Sequence, residues 1–209
     1  MRTAIAAAAC MFLGGCLPTG SSLPPQQYYV LNDLAKPASG QRTPQSGRTL
    51  LINPTVTSAF YDTQSLVFSR AAGQRSYYQF AGWTERPGRR VFELLTRRLE
   101  TRGAFASVAS TTSGVKGDVV LSTRLEELYQ DASASPGRVQ VELTAELVDF
   151  TERTIIGRRR FSQSVATSGE NAAGAVAAFN QAVTALLDEV AAWAETAAAR
   201  PQAPAVPQK

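Results

Sequence analysis

The sequence predicts an α+β fold: a single domain with a mixed or antiparallel sheet that ends in a three-stranded meander and is covered on one face by two amphipathic helices. Three observations predict it. In "RVQVELTAELVDF", Val139, Val141, Leu143, Ala145 and Leu147 alternate with Gln140, Glu142, Thr144 and Glu146, the period-two pattern of a half-buried strand. Two other segments repeat at helical spacing: Val91, Leu94, Leu95 and Leu99 in one, and Val176, Phe179, Val183, Leu186, Leu187, Val190 and Trp193 in the other. The runs "DVVLSTRLEELYQD" before "RVQVELTAELVDF" and "TIIGRRRFSQSVATS" after it, across short turns, complete a three-stranded antiparallel meander.

Residues 1–15 read as an export signal. Met1 to Thr3 carries Arg2, and the apolar run from Ala4 to Leu13 is too short to cross a hydrocarbon core as a helix. The run closes on Leu13, Gly14, Gly15 and Cys16. These four residues resemble the bacterial lipobox, in which an aliphatic and two small residues precede a cysteine acylated on sulfur. That resemblance implies cleavage between Gly15 and Cys16. It also implies a diacylglyceryl thioether on Cys16 and, in Gram-negative cells, an N-acyl chain on its amine; no other cofactor is expected. Each buried methylene contributes about 0.8 kcal/mol, so several chains make an anchor where one alone would be reversible. Residue 17 is Leu, not the Asp associated with inner-membrane retention in enterobacteria, so the expected location is the periplasmic face of the outer membrane.

Residues 16–27 form the lipidated N-terminus and a tether. "LPTGSSLPPQQ" is rich in Pro, Ser and Gly and reads as a flexible leash, which reaches about 36–40 Å at roughly 3.3–3.6 Å per residue. The folded domain is expected over residues 28–197. It opens with a strand through Tyr28, Tyr29, Val30 and Leu31, followed by a polar loop over residues 35–47. Strands follow near residues 48–57 and 65–70, and "AAGQ" turns the second into "RSYYQFAG" as a hairpin. "PGRRVFELLTRRLETRG" is an amphipathic helix with Pro87 at its start and Gly103 at its end. Another strand follows at Phe105 to Ala109. Residues 118–166 then form the antiparallel meander, with turns at "ASASPG" and "TERT". "TSGE" at residues 167–170 is a capping-box signature for the last helix, whose buried stripe ends at Trp193. Residues 198–209 are a Pro-rich disordered tail.

Composition limits the chemistry. There is no histidine, so Ser-His and Cys-His pairs cannot be built. Cys10 leaves with the signal and Cys16 remains alone, which excludes an internal disulfide and a Cys/His metal cluster. The net charge of +4 is spread over several segments, without the basic stripe that nucleic-acid binding needs. An enzyme would have to use carboxylates such as Glu126 and Glu127, or Asp149 and Glu152. Adjacent Glu126 and Glu127 point to opposite sides of a strand, so surface solubility explains them. Candidate contact residues are Tyr28, Tyr29, Tyr77 and Tyr78, pairs in which alternation makes one ring core and the other exposed, and the arginines Arg158 and Arg160 of "GRRRF". Alternation also sends Arg159 to the opposite face from its neighbours.

The whole order of signal, cysteine, "YYVL", hairpin, helix, meander and final helix resembles the ABC-type transport auxiliary lipoprotein family, of the paraquat-inducible-protein-C type. The more specific pieces are Tyr28, Tyr29 and Leu31; "YDTQSLVFSR" at residues 61–70; and Trp83, Glu85, Arg86 and Pro87 before the helix. The resemblance implies an accessory subunit of an ABC system that carries lipids across the envelope, with a mammalian-cell-entry (MCE) domain protein as partner and the membrane reached through the lipid anchor. The chain has no Walker A sequence, so it is not the motor. The competing reading is an outer-membrane assembly-type lipoprotein that scaffolds another envelope machine, such as a lipopolysaccharide translocon. The oligomeric state, a homo-oligomer included, stays open.

Cys16→Ala is expected to abolish incorporation of labelled palmitate and to release the protein from membranes on fractionation. Unchanged labelling would exclude Cys16 as the acylation site.

Overall fold

A computed structural model describes residues 23–36 and 46–199. The signal, Cys16, most of the 35–47 loop and nearly all of the 198–209 tail lie outside the described residues.

Strand β7 (Val119–Asp131) organises the sheet. One edge pairs antiparallel with β8 (Arg138–Asp149) over its full length, and β8 pairs antiparallel with β9 (Thr154–Ala166). This is the meander expected from the alternation. The other edge of β7 is shared by three parallel strands in succession: β2 (Ser46–Ile52) along Val119 to Leu121, β3 (Val56–Thr57) at Arg124 and Leu125, and β4 (Ser65–Ser69) at Gln130 and Asp131. Outside β2 lies β6 (Phe105–Ser110), parallel to it. Outside β4 lies β5 (Ser76–Trp83), antiparallel, and then β1 (Gln27–Tyr29), parallel to β5. The described residues thus form one open, mixed, nine-stranded sheet.

The pattern "LEEL" in β7 has a physical consequence that simple alternation misses. Leu125 and Leu128 are both buried although three residues apart, because the register slips by one residue between Leu125 and Glu127. This bulge shifts the core side from odd to even positions. Thr123 and Leu125 face the core before it, and Leu128 and Gln130 after it.

Helix α1 (Pro87–Arg102) starts on Pro87 and ends at Gly103, whose φ of 63° is left-handed and whose N–H reaches the carbonyls of Leu99 and Glu100. Its expected stripe of Val91, Leu94, Leu95 and Leu99 is buried, and Arg98 is buried with it. Helix α2 (Ala172–Ala199) buries Val176, Phe179, Val183, Leu186, Leu187 and Val190, and small residues such as Ala175, Ala178 and Ala182 let it lie close to its neighbours. Its cap is not the expected "TSGE" box. Asn171 Oδ1 accepts from the Gly174 N–H at 2.8 Å. Thr167 is buried and spent elsewhere, its N–H and hydroxyl both donating to the Gly137 carbonyl, which ties the end of β9 to the β7–β8 turn.

Two edge-to-face aromatic pairs fix α2 to the sheet. Trp83 meets Phe179 at 5.5 Å, and Phe161 meets Trp193 at 5.8 Å. Trp193 is only half-buried, against the expectation that it ends a buried stripe; Trp83 is the fully buried indole. Beyond β1 the chain runs beside both helices. Arg90 Nε donates to the Leu31 carbonyl, Asn180 Oδ1 accepts from the Asn32 N–H, and Thr184 Oγ1 accepts from the Leu34 N–H. Buried Arg98 pairs with Asp33 on this segment and with Asp188 on α2, while Arg102 binds Glu195 through Nε at 2.6 Å.

Trp83→Ala is expected to lose about 3–5 kcal/mol by denaturant unfolding, because a core aromatic leaves a cavity. Trp193→Ala should lose clearly less, and equal losses would contradict the burial difference.

Candidate functional site

The four candidate tyrosines lie as two separate pairs on adjacent strands, the β1 pair in register with β5 five residues beyond Tyr77 and Tyr78. β1 lies against β5 with Tyr28 opposite Gly82 and Tyr29 opposite Trp83. The Tyr28 ring lies over Gly82: a Cβ there would sit 3.5 Å from the ring and 2.9 Å from the Gln64 carbonyl oxygen. A glycine is therefore required for the strands to meet. The alternation holds in both pairs. Tyr28 is 62% exposed and Tyr77 45%, whereas Tyr29 and Tyr78 pack against the core. Tyr77 stacks on exposed Phe60 at 4.9 Å and donates to its carbonyl at 3.2 Å. The Tyr29 hydroxyl donates to Gln27 Oε1 at 2.7 Å. The Tyr78 hydroxyl donates to Oε1 of the buried Gln130. Burial pushes the Tyr78 hydroxyl above the ordinary tyrosine range, with Arg70 opposing in part, so it remains a protonated donor.

Beside Tyr77 and Tyr78, next to the start of α2, lies an open cleft of about 580 Å³ whose walls include Pro24, Pro25, Phe68, Tyr78 and Phe80. Tyr78 meets Phe68 edge-on at 5.0 Å, and the Arg70 guanidinium lies 5.2 Å from the Phe68 ring centre. Glu170, just before α2, is at the rim. Phe68 and Arg70 fall within "YDTQSLVFSR" but not among the candidate contact residues. Their i, i+2 spacing, with Phe68 on β4 and Arg70 just past its end, is a legible sign that they share a face, but nothing local brings Glu170 to them.

The arginines Arg158 and Arg160 do not join these tyrosines. They lie on β9, bonded across the strand to Glu146 at 2.6 Å and Glu142 at 3.2 Å. Arg159 turns the other way, with its guanidinium 5.0 Å from the Phe161 ring. The carboxylates weighed for catalysis also have separate partners. The bulge residue Glu126 accepts from Ser58 Oγ at 3.3 Å, and Glu127 pairs with Arg75 at 3.4 Å. Asp149 is buried and pairs with Arg48. Burial disfavours its charge, but N–H bonds from Glu152 and Thr151 and the Arg48 guanidinium outweigh it and hold the carboxyl below the ordinary aspartate range. Glu152 contributes only its backbone to this arrangement. Among the described residues no group of three or more acidic or cysteine side chains could hold a metal.

A profile of the family described as the ABC-type transport auxiliary lipoprotein component matches residues 29–191. The chain belongs to this family. The match runs from Tyr29 through most of α2. The crystal structure of protein XCC0632 from Xanthomonas campestris is similar, with 23% identity and a TM-score of 0.74 over 82% of this chain and 95% of that one. Protein CT253 from Chlamydia trachomatis is similar at 10% identity and a TM-score of 0.56, over 72% and 96% of the two chains. These likenesses concern the fold. No curated protein sequence matches. No helix among the described residues is long and apolar enough to cross a membrane.

Gly82→Ala is expected to displace Tyr28 and loosen β1, at a cost of about 1–3 kcal/mol for overpacking. Denaturant unfolding together with hydrogen exchange at residues 27–29 measures it, and unchanged protection of β1 would contradict the close approach.

Proposed function

We propose that this auxiliary lipoprotein is a non-catalytic docking subunit, acylated at Cys16 and tethered to the periplasmic face of the outer membrane, that holds the MCE-domain protein of its transport system. Family membership and the Leu-Gly-Gly-Cys ending support the reading. The observation that carries it is the placement of two surfaces at opposite ends of β7. The tether arrives at the Asp131 end, where Pro24 and Pro25 share a cleft with Ala132. The β8–β9 turn lies at the other end, where Asp149 pairs with Val119. Thirteen residues of strand separate them, about 40 Å at roughly 3.3 Å per residue.

That far end carries exposed apolar side chains. Phe150 is 62% exposed and Ile155 64%, and Val115, in the loop leading to β7, is exposed as well. Lys116 and Arg153 flank them. Exposed apolar residues rimmed by charge suit a protein interface. A leash that holds one end near the bilayer turns the other end toward the periplasm. Arg158 and Arg160, on the outer face of β9, would then border the partner contact, and the tyrosine pairs would face the membrane side.

The test is site-specific crosslinking of the full lipoprotein to its MCE partner in intact envelopes. Phe150→Asp combined with Ile155→Asp is expected to remove most crosslinking while membrane attachment and melting temperature stay unchanged, and deleting residues 17–22 should impair it through lost reach. Full crosslinking in both variants, or turnover of a lipid by the purified chain alone, would overturn the reading.

A further inference from the structure

Helix α2 ends beside the exposed apolar side chains of the far end. Arg48 Nη1 donates to the Ala198 carbonyl at 3.5 Å and Nη2 pairs with Asp149, so a single side chain joins the last turn of the helix to the residue before Phe150. Trp193, earlier on α2, lies over Gly157 near the start of β9, where an added Cβ would stand 3.4 Å from the indole. The Phe150 N–H donates to the Asp118 carbonyl at 2.9 Å, which brings Phe150 to the loop that carries Val115. Ile155 sits opposite Val148 on β8. Phe150, Ile155 and Val115 thus share the end of the sheet at which the chain leaves α2.

The segment that follows has a periodicity of its own. In "RPQAPAVPQK", Pro201, Pro204 and Pro207 recur at every third residue. A polyproline II helix has three residues per turn, so in that conformation the three rings share one edge, and Ala203 and Val206 share the next. Covalent geometry favours the conformation. Each proline fixes its own φ and confines the residue before it to extended geometry, so six of the eight residues from Arg200 to Pro207 are biased toward it. A segment restricted in this way has little freedom left to lose on docking. At about 3.1 Å per residue the eight residues would span roughly 25 Å. They lie outside residues 29–191, which the family profile matches.

We propose that residues 201–207 dock as a polyproline II segment on Phe150, Ile155 and Val115 of their own chain, and cover these side chains until a partner displaces them. Proline-rich segments bind through apolar contact with exposed aromatic and aliphatic surface, which is what this end of the sheet offers. The segment starts where that surface lies, so the contact is intramolecular and forms at a high effective concentration. Arg200 and Lys209 flank the proline run and leave the contact itself to apolar groups. The competition with a partner rests on the docking reading given above; the contact within the chain does not.

The test uses the full lipoprotein, alone in nanodiscs, with p-benzoylphenylalanine in place of Phe150. Irradiation is expected to join position 150 to residues 201–207 within one chain, in a yield that does not change on dilution. Pro204→Ala combined with Ala205→Pro keeps the composition but breaks the three-residue spacing. It should cut the yield about tenfold, as expected when a covered surface becomes open most of the time, with an unchanged melting temperature. In envelopes, deleting residues 200–209 should raise crosslinking of the MCE partner about tenfold, because apparent affinity scales with the open fraction. Crosslinks that join two chains and fade on dilution, products that lack the proline run, or an equal yield from the shifted spacing would overturn the proposed contact. Partner crosslinking that does not rise on deletion would overturn the competition. The first measurement contains no partner, so failure of the docking reading would leave its outcome unaffected.

Discussion

Strand β7 is hydrogen-bonded along both edges, and the other layers are placed by that fact. On one side it meets a single long partner, β8; on the other it meets β2, β3 and β4 in turn. Backbone groups buried in the middle of a sheet must be paired, so the chain from Ser46 to Ser69 has to advance along β7 in short steps. The bulge at Glu126 belongs to the same constraint. It resets the alternation midway, so that Leu121 and Leu125 at one end and Leu128 and Gln130 at the other are all buried.

The helices depend on this sheet and on a few polar contacts between them. α2 is pinned by Trp83 near its start and by Phe161 near its end. Arg98 connects α1, α2 and the segment after β1 through Asp33 and Asp188. Burying a guanidinium is tolerable only with such partners, and removing one would leave an uncompensated charge. The segment after β1 is therefore bound to the same helices that cover the core. Pro24 and Pro25, before β1, border the cleft.

Much of this was legible in the residues. Period-two runs located β8 and β9, helical spacing located α1 and α2, and the paired tyrosines placed one ring of each pair inside. What local pattern could not supply was pairing across long sequence separations. Nothing in "LLINP" says that β2 is parallel to β7, and nothing in "TSGE" says that Thr167 is occupied by Gly137, which leaves Asn171 to cap the helix. Trp83 and Trp193 differ in burial because one sits where β5 passes under α2 and the other near the edge strand β9. The tyrosine pairs could be named from sequence; the cleft beside Tyr77 and Tyr78 needed Glu170 and Pro24, residues far apart along the chain.

The placement of tether and hairpin turn at opposite ends of β7 also has a mechanical meaning. A membrane anchor at one end and a bound partner at the other would pull along the strand axes. Loaded in that direction, the β7–β8 ladder shares the force over all twelve of its paired residues at once, whereas a load across the strands would open it one pair at a time. Survival under sustained force is set by the unfolding rate and not by equilibrium stability. If the chain is anchored and docked as proposed, the β7–β8 ladder would lie along the line of tension between bilayer and partner.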